Sequence, residues 1–102
     1  MKAAEMLHAA ADLVGGQRAN DYGDKLANHE RIAALWNMWL RERKYIFFAG
    51  AEAESDSEII AYDVAMMMLL VKVARLMNSP GHQDSHIDIA GYASIMEEIV
   101  ID

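Results

Sequence analysis

The chain has 102 residues, 54% hydrophobic and 25% charged, with a single proline. This composition argues against disorder and predicts one compact domain over residues 1–102. The formal net charge of −7 disfavours general binding to nucleic acid, which requires a basic surface. The absence of cysteine excludes disulfides, thiol catalysis and cysteine-based zinc sites, and it suits a cytoplasmic protein.

Neither a membrane span nor a signal peptide is predicted. The N-terminal residues lack the long apolar core of a signal peptide. The longest apolar run, residues 64–71, is far shorter than the roughly 18 residues that a membrane helix needs. We therefore expect a soluble, cytoplasmic protein with no membrane partner.

The first predicted helix covers residues 2–14, and Gly15 with Gly16 ends it because glycine readily adopts the left-handed conformation after a helix. A second helix is predicted from Asp24 or Asn28 through at least Leu40. One face of it carries His29, Ile32, Trp36 and Leu40. The pattern leaves open whether this helix continues to Ala49 or whether the aromatic patch at residues 45–48 lies in a loop.

The third predicted helix is the most apolar part of the chain. Ser55 and Glu58 have the spacing of a capping box, which predicts a start there and an end near Met77. Every residue from 64 to 71 is apolar, and a helix that is apolar all round is normally buried on every side. We therefore place this helix at the centre of the fold.

The fourth predicted helix begins at Asp84 or Ser85 as its N-cap and reaches about Val100. Gly91 in its interior predicts the close approach of another backbone. Four helices without a strand pattern predict an all-α, four-helix bundle-like domain. One chain has little material to cover the third helix, so a homodimer or homotetramer is expected.

Asp63 is the most informative single residue, because its helical neighbours are apolar. A buried carboxylate must be paired or hydrogen-bonded. Two interpretations remain open: an ion pair with a basic residue on another helix, and a ligand to a metal ion or a small molecule.

Two further groups of charges are candidates for a site. Lys72 and Arg75 lie near the C-terminal end of the third helix, where the helix dipole favours cations, and they could also hold a phosphate. Asp84 and Asp88 share a face of the fourth helix that Tyr92, Ile95 and Ile99 continue, so Asp88 is expected to point inward. Inward aspartates on two packed helices would suit a magnesium site, and they are also common in ordinary cores.

The four histidines do not form a metal-binding spacing. His29 shares its predicted face with Trp36 and Leu40, where a lone histidine is more often a hydrogen-bonded core residue than a ligand. The sequence contains no Ser-His-Asp arrangement, glycine-rich phosphate loop or zinc pattern. Catalytic residues therefore stay unassigned.

The order of several short motifs resembles a family of small phage and prophage proteins of unknown function. The same order resembles the domain associated with phage nucleotide modification and, more remotely, the MazG-like all-α nucleotide pyrophosphatases. The resemblance covers about residues 17–95. It is carried by Asp21-Tyr-Gly23, Asn28-His29, Leu35-Trp36, Asp63-Val64, Lys72, Arg75, Asp84-Ser85, Asp88 and Gly91-Tyr92.

The remote relatives imply a helical dimer or tetramer that hydrolyses a nucleoside triphosphate to the monophosphate and pyrophosphate. The resemblance implies Mg²⁺ held by carboxylates, and Asp63, Asp84 and Asp88 are the residues that could serve here. It implies that the nucleotide is bound by His29, Trp36, Lys72, Arg75 and Tyr92. Those enzymes carry E-x-x-E on one helix and E-x-x-D on the next, and neither motif occurs in the corresponding helices here.

Three hypotheses about function follow, and they are given in order of preference. The first is a Mg²⁺-dependent nucleotide pyrophosphatase, acting in the cytoplasm of the host cell if the protein is phage-encoded. The second is a phage protein that binds nucleotides without hydrolysing them, as the incomplete acidic motif suggests. The third is a helical interaction module, suggested by the aromatic patch at residues 45–48 and the apolar third helix.

Overall fold

The computed structural model describes residues 2–15, 24–43 and 58–100. These residues form four α-helices: α1 (Ala3–Gly15), α2 (Lys25–Glu42), α3 (Ala61–Asn78) and α4 (Gln83–Ile99). No strand occurs among the described residues. The predicted all-α, four-helix class is confirmed. α2 ends at Glu42, with Arg43 as its C-cap. The aromatic patch at residues 45–48 lies outside the described residues.

The third helix is the centre of the packing, as predicted. α3 packs against both α2 and α4, whereas α2 and α4 do not contact each other. Within the described ranges, α1 contacts none of the other helices, and none of its residues is buried. Three helices therefore form the packed unit, and the first helix stands outside it.

The predicted helix starts are right for α2 and wrong for α3 and α4. Asp24 caps α2, because its carboxylate accepts the backbone N–H of Ala27 at 3.1 Å. α3 begins at Ala61 rather than at Glu58. Its N-cap is Ile60, whose backbone N–H donates to an Asp63 carboxylate oxygen. The N-cap of α4 is neither Asp84 nor Ser85.

His82 caps α4 instead. Its Nδ1 atom accepts the backbone N–H of Ser85 at 3.2 Å and lies 2.9 Å from the Ser85 hydroxyl. Ser85 is fully buried, so this cap seals the turn between α3 and α4. An imidazole nitrogen can act as a cap acceptor, although the usual capping residues are Ser, Thr, Asp and Asn.

Within the described part of the single chain, α3 is not buried on every side. The side chains of Val64 and Met77 are exposed by 52% and 55%. Because α2 and α4 lie against separate sides of α3 and do not touch, the apolar surface between them stays open. Periodicity marks a helix as apolar, but it does not supply enough neighbours to cover it.

The predicted inward stripe of α4 is also partly wrong. Ile95 and Ile99 are exposed by 44% and 36%, whereas the buried residues of α4 are Ser85 and Met96. Gly91 is exposed, and a Cβ atom added to it would have no atom within 4 Å. The predicted close approach of another backbone at Gly91 is therefore absent from the described part of this single chain.

A buried carboxylate joins α2 to α3. Asp63 is fully buried, and its Oδ1 atom accepts hydrogen bonds from Trp39 Nε1 and Arg43 Nε, each at 3.0 Å. Its Oδ2 atom accepts the Ile60 N–H at 3.0 Å. We call Asp63 with these three donors the Asp63 cluster. It contains an ion pair between Asp63 and Arg43, which lies outside the helix of Asp63. Such a pair is one of the two interpretations of Asp63 drawn from the sequence.

A second hydrogen bond fixes the register of the two helices. Trp36 donates its indole N–H to the Met67 carbonyl oxygen at 2.7 Å. Met67 lies one turn after Asp63, and Trp36 lies one turn before Trp39, so α2 runs antiparallel to α3. Two indole groups therefore hold consecutive turns of α3.

Replacing Asp63 with asparagine should lower the free energy of unfolding by about 3 kcal/mol. The amide removes the charge that faces Arg43 and points N–H groups at donors that need an acceptor. Urea denaturation followed by circular dichroism measures the change. Asp88→Asn is the matched control, because that carboxylate is 42% exposed and its loss should cost less than about 1 kcal/mol. Equal costs for the two variants would contradict a structural role for Asp63.

Replacing Gly91 with alanine should raise the free energy of unfolding by about 0.5–1 kcal/mol. Alanine restricts the unfolded chain and favours the helix, and its Cβ atom meets nothing in the described chain. Thermal and urea unfolding measure the effect. The reciprocal variant Ala90→Gly, at the exposed neighbouring position, should lose a similar amount. A destabilised Gly91→Ala protein would show that the position is crowded.

Candidate functional site

A depression between α3 and α4 is the candidate site. It has a volume of about 360 Å³ and is lined by Lys72 on α3 and, on α4, by Ile87, Asp88, Gly91, Tyr92 and Ile95. The short turn after Asn78 folds α4 back along α3, which places the α4 residues beside Lys72. Lys72, Asp88 and Tyr92 were all singled out from the sequence, and the fold brings these three together.

An ion pair spans the depression. Lys72 Nζ lies 3.2 Å from Asp88 Oδ2, and the two side chains are 19% and 42% exposed. Because Asp88 is so exposed to water, the pair contributes little to stability. Its effect is positional: it holds the ammonium group of Lys72 beside the Asp88 carboxylate in the lining of the depression.

The rest of the lining is apolar or aromatic. Ile87 is exposed by 60% and Ile95 by 44%, while Tyr92 is half-buried. Gly91 keeps part of the depression open, since it has no side chain. One cation, one carboxylate and one phenol around an apolar surface suit a ligand that combines an anionic group with a flat or apolar group.

The three predicted metal ligands have different surroundings. Asp63 belongs to the Asp63 cluster, Asp88 pairs with Lys72, and Asp84 is exposed in the first turn of α4. Among residues 2–15, 24–43 and 58–100, no group of three or more His, Asp or Glu side chains could hold a metal ion.

The other predicted nucleotide-binding residues lie outside the depression. His29 is exposed, not part of the buried face of α2, and its Nδ1 atom lies 2.7 Å from the Lys25 carbonyl oxygen. The Trp36 indole is used in the bond to Met67. Arg75 is buried, with 8% exposure. Of the five residues predicted to bind nucleotide, Lys72 and Tyr92 line the depression.

Sequence reasoning missed Trp39 and Arg43, whose side chains donate to Asp63. They are four residues apart, Trp39 in the last turn of α2 and Arg43 at its C-cap. The Arg43 guanidinium carbon lies 6.0 Å from the centre of the Trp39 ring. The Trp39 and Tyr62 rings are 6.5 Å apart. A tryptophan and an arginine one helical turn apart could have been proposed as donors for a buried aspartate, since both donate hydrogen bonds.

Two buried polar atoms of α2 lack a hydrogen-bond partner among the described residues. They are Oδ1 of Asn28 and Nη1 of Arg31. Asn28 is only 3% exposed. Neither residue lines the depression. Buried groups of this kind are commonly satisfied by ordered water.

None of the described helices is long and apolar enough to cross a membrane. No solved structure matches the chain.

The chain resembles two phage proteins. It is 44% identical over 94 residues to the Gene 55 protein of Mycobacterium phage L5, an alignment that covers 92% of this chain and 51% of that protein. It is 34% identical over 94 residues to the Gene 55 protein of Mycobacterium phage D29, with 92% and 52% covered. The chain thus spans about half the length of these relatives.

The predicted resemblance to phage proteins of unknown function is confirmed, whereas the more remote resemblance to MazG-like enzymes stays a prediction. A family model matches residues 5–100, which is nearly the whole chain. The chain belongs to the family described as "Domain of unknown function (DUF6378)".

Proposed function

We propose that the chain binds a nucleotide in the depression between α3 and α4. The observation that supports this most is the convergence of Lys72, Asp88 and Tyr92 on one depression. The sequence predicts phosphate, metal and nucleotide contacts for these same three residues. Of the three hypotheses, the second, binding without hydrolysis, agrees best with the geometry.

Lys72 is the phosphate-binding residue in this proposal. Its side chain is 19% exposed, so its charge is less screened by water than that of a surface lysine. An ammonium group has three donors, and one is used by Asp88. The remaining donors can contact a phosphate oxygen without breaking the ion pair.

The apolar lining would receive the base and sugar. The Tyr92 ring can stack on a base, and Ile87 and Ile95 supply flanking apolar surface. A volume of about 360 Å³ lies at the lower end of the range for small-molecule sites, about 300–1,000 Å³. This size favours one nucleotide over a longer oligonucleotide, in keeping with the acidic net charge.

Magnesium enters the proposal only together with the nucleotide. Mg²⁺ is usually bound by one or two carboxylates plus the phosphates of a substrate, and Asp84 and Asp88 lie one turn apart on α4. Asp63, in contrast, is committed to three protein donors. Hydrolysis by metal-bound water usually needs more carboxylates than these two, which is why we favour binding without turnover.

Replacing Lys72 with glutamine should weaken nucleotide binding at least ten-fold, because the cation facing the phosphate is lost. Isothermal titration calorimetry with the four deoxynucleoside triphosphates, with and without Mg²⁺, measures the effect. Lys25→Gln is the matched control, since Lys25 is exposed at the start of α2 and outside the depression. Absence of binding by the wild-type protein, or equal binding by the Lys72 variant, would refute the proposal.

An assay of pyrophosphate release distinguishes nucleotide binding without hydrolysis from pyrophosphatase activity. The folded wild-type protein is incubated with Mg²⁺ and the same triphosphates, together with modified deoxynucleotides. We expect binding without pyrophosphate release. Release that is lost in Lys72→Gln would instead support the pyrophosphatase hypothesis at this same site.

A further inference from the structure

Gly91 lies at the centre of α4, where a glycine is unfavourable. Only proline is less favourable inside a helix, because the glycine backbone loses more conformational freedom on folding than that of any other residue. Gly91 lies within the regular helix Gln83–Ile99, so no left-handed backbone conformation requires a glycine there. Neither helix formation nor backbone conformation accounts for this residue.

The packing of the described chain does not require a glycine at position 91 either. A Cβ atom added to Gly91 would have no heavy atom from another part of the described chain within 4 Å. Where a glycine permits the close approach of two elements, an added Cβ atom would instead collide with the neighbouring element. A larger side chain would therefore fit at position 91, and it would favour the helix.

The absence of a side chain at Gly91 shapes the depression between α3 and α4. Ile87 and Ile95 lie one turn before and one turn after Gly91 on the same face of α4, and all three residues line the depression. Both isoleucines are exposed, so Gly91 interrupts a row of exposed apolar side chains. We call this interruption the Gly91 notch: its walls are Ile87 and Ile95, and its floor is the backbone of Gly91.

The Gly91 notch has the width of one flat ring. Its two walls lie about 12 Å apart along the helix axis, because each residue of an α-helix rises about 1.5 Å. A ring that contacts a wall on each of its faces needs about 7–8 Å, which is twice the carbon–carbon contact distance. The remainder of about 4–5 Å is taken up by the width of the two isoleucine side chains. A second ring stacked on the first would need about 3.5 Å more, so the notch holds one ring.

The charged groups of the depression lie beside the Gly91 notch. Asp88 follows Ile87 by one residue, so its side chain leaves α4 about 100° further round the helix. Lys72 belongs to α3, and its Nζ atom lies 3.2 Å from Asp88 Oδ2. The notch therefore suits the flat apolar part of a ligand, while Lys72 suits its anionic part.

We infer that Gly91 is a specificity-determining residue, which admits one flat heterocyclic ring edge-on between Ile87 and Ile95. This inference rests on the proposed nucleotide binding, and it assigns the base to the Gly91 notch and the phosphates to Lys72. The edge-on placement gives the base an edge-to-face contact with Tyr92, an arrangement that aromatic pairs favour over a face-to-face sandwich. Gly91 thus lowers the stability of α4 and opens the site, as residues of binding sites commonly do.

The experiment is calorimetry of the full chain with the four deoxynucleoside triphosphates, using Gly91→Ala and Gly91→Leu. The dissociation constants should rise from wild type to Gly91→Ala to Gly91→Leu, by roughly ten-fold or more for the last, because the added carbons occupy the place of the ring. Ala90→Leu is the matched control, since Ala90 is the exposed neighbour of Gly91 and lies outside the lining of the depression. It should bind as the wild-type protein does.

Two further measurements separate a blocked notch from a damaged fold. Thermal unfolding should show both Gly91 variants at least as stable as the wild-type protein, because alanine and leucine favour the helix. Inorganic tripolyphosphate, which has no base, should bind Gly91→Leu as tightly as it binds the wild-type protein. An equal loss of tripolyphosphate and nucleotide binding in Gly91→Leu would overturn the inference.

Failure of this inference and failure of the proposed function give different results. If the wild-type protein binds the deoxynucleoside triphosphates and Gly91→Leu binds them equally well, the role of Gly91 is refuted while nucleotide binding stands. If the wild-type protein binds none of them, both are refuted.

Discussion

The buried carboxylate of Asp63 is the constraint on which the rest of the arrangement depends. An ionised group with no exposure to water must be met by donors, and α2 supplies two of them from Trp39 and Arg43. The third donor, the Ile60 backbone, sets the start of α3. One aspartate thus joins the start of the central helix to α2. Asp63, which the sequence offered as a metal ligand, accepts hydrogen bonds from three donors among the described residues.

This constraint explains why α3 is left partly uncovered. With one side of α3 committed to α2 and another to α4, the two outer helices are too far apart to meet. Apolar side chains such as Val64 remain open to water, while α1 carries apolar residues that nothing in the described chain covers.

Much of the local structure could be predicted from the sequence, because it depends on neighbouring residues. Helical periodicity and turn residues placed all four helices, and Asp24 was correctly chosen as one of two possible starts for α2. The errors arose where a contact distant in sequence decided the outcome. His29 was placed on the buried face and is exposed, while Ile95 and Ile99 were placed inward and lie on the open side of α4. Periodicity shows that residues share a face, but it does not show what lies opposite that face.

The sequence by itself determined the helical class, the central position of α3, the membership of a phage family and the few charges worth following. Those features depend on composition, residue spacing and motif order, which are properties of the linear chain. Only the tertiary structure decided that Asp63 pairs with Arg43 and that Lys72 pairs with Asp88. A charge on one helix is compatible with several partners on others, and the packing of α2 and α4 on separate sides of α3 selects among them. That packing also created the depression where Lys72, Asp88 and Tyr92 meet.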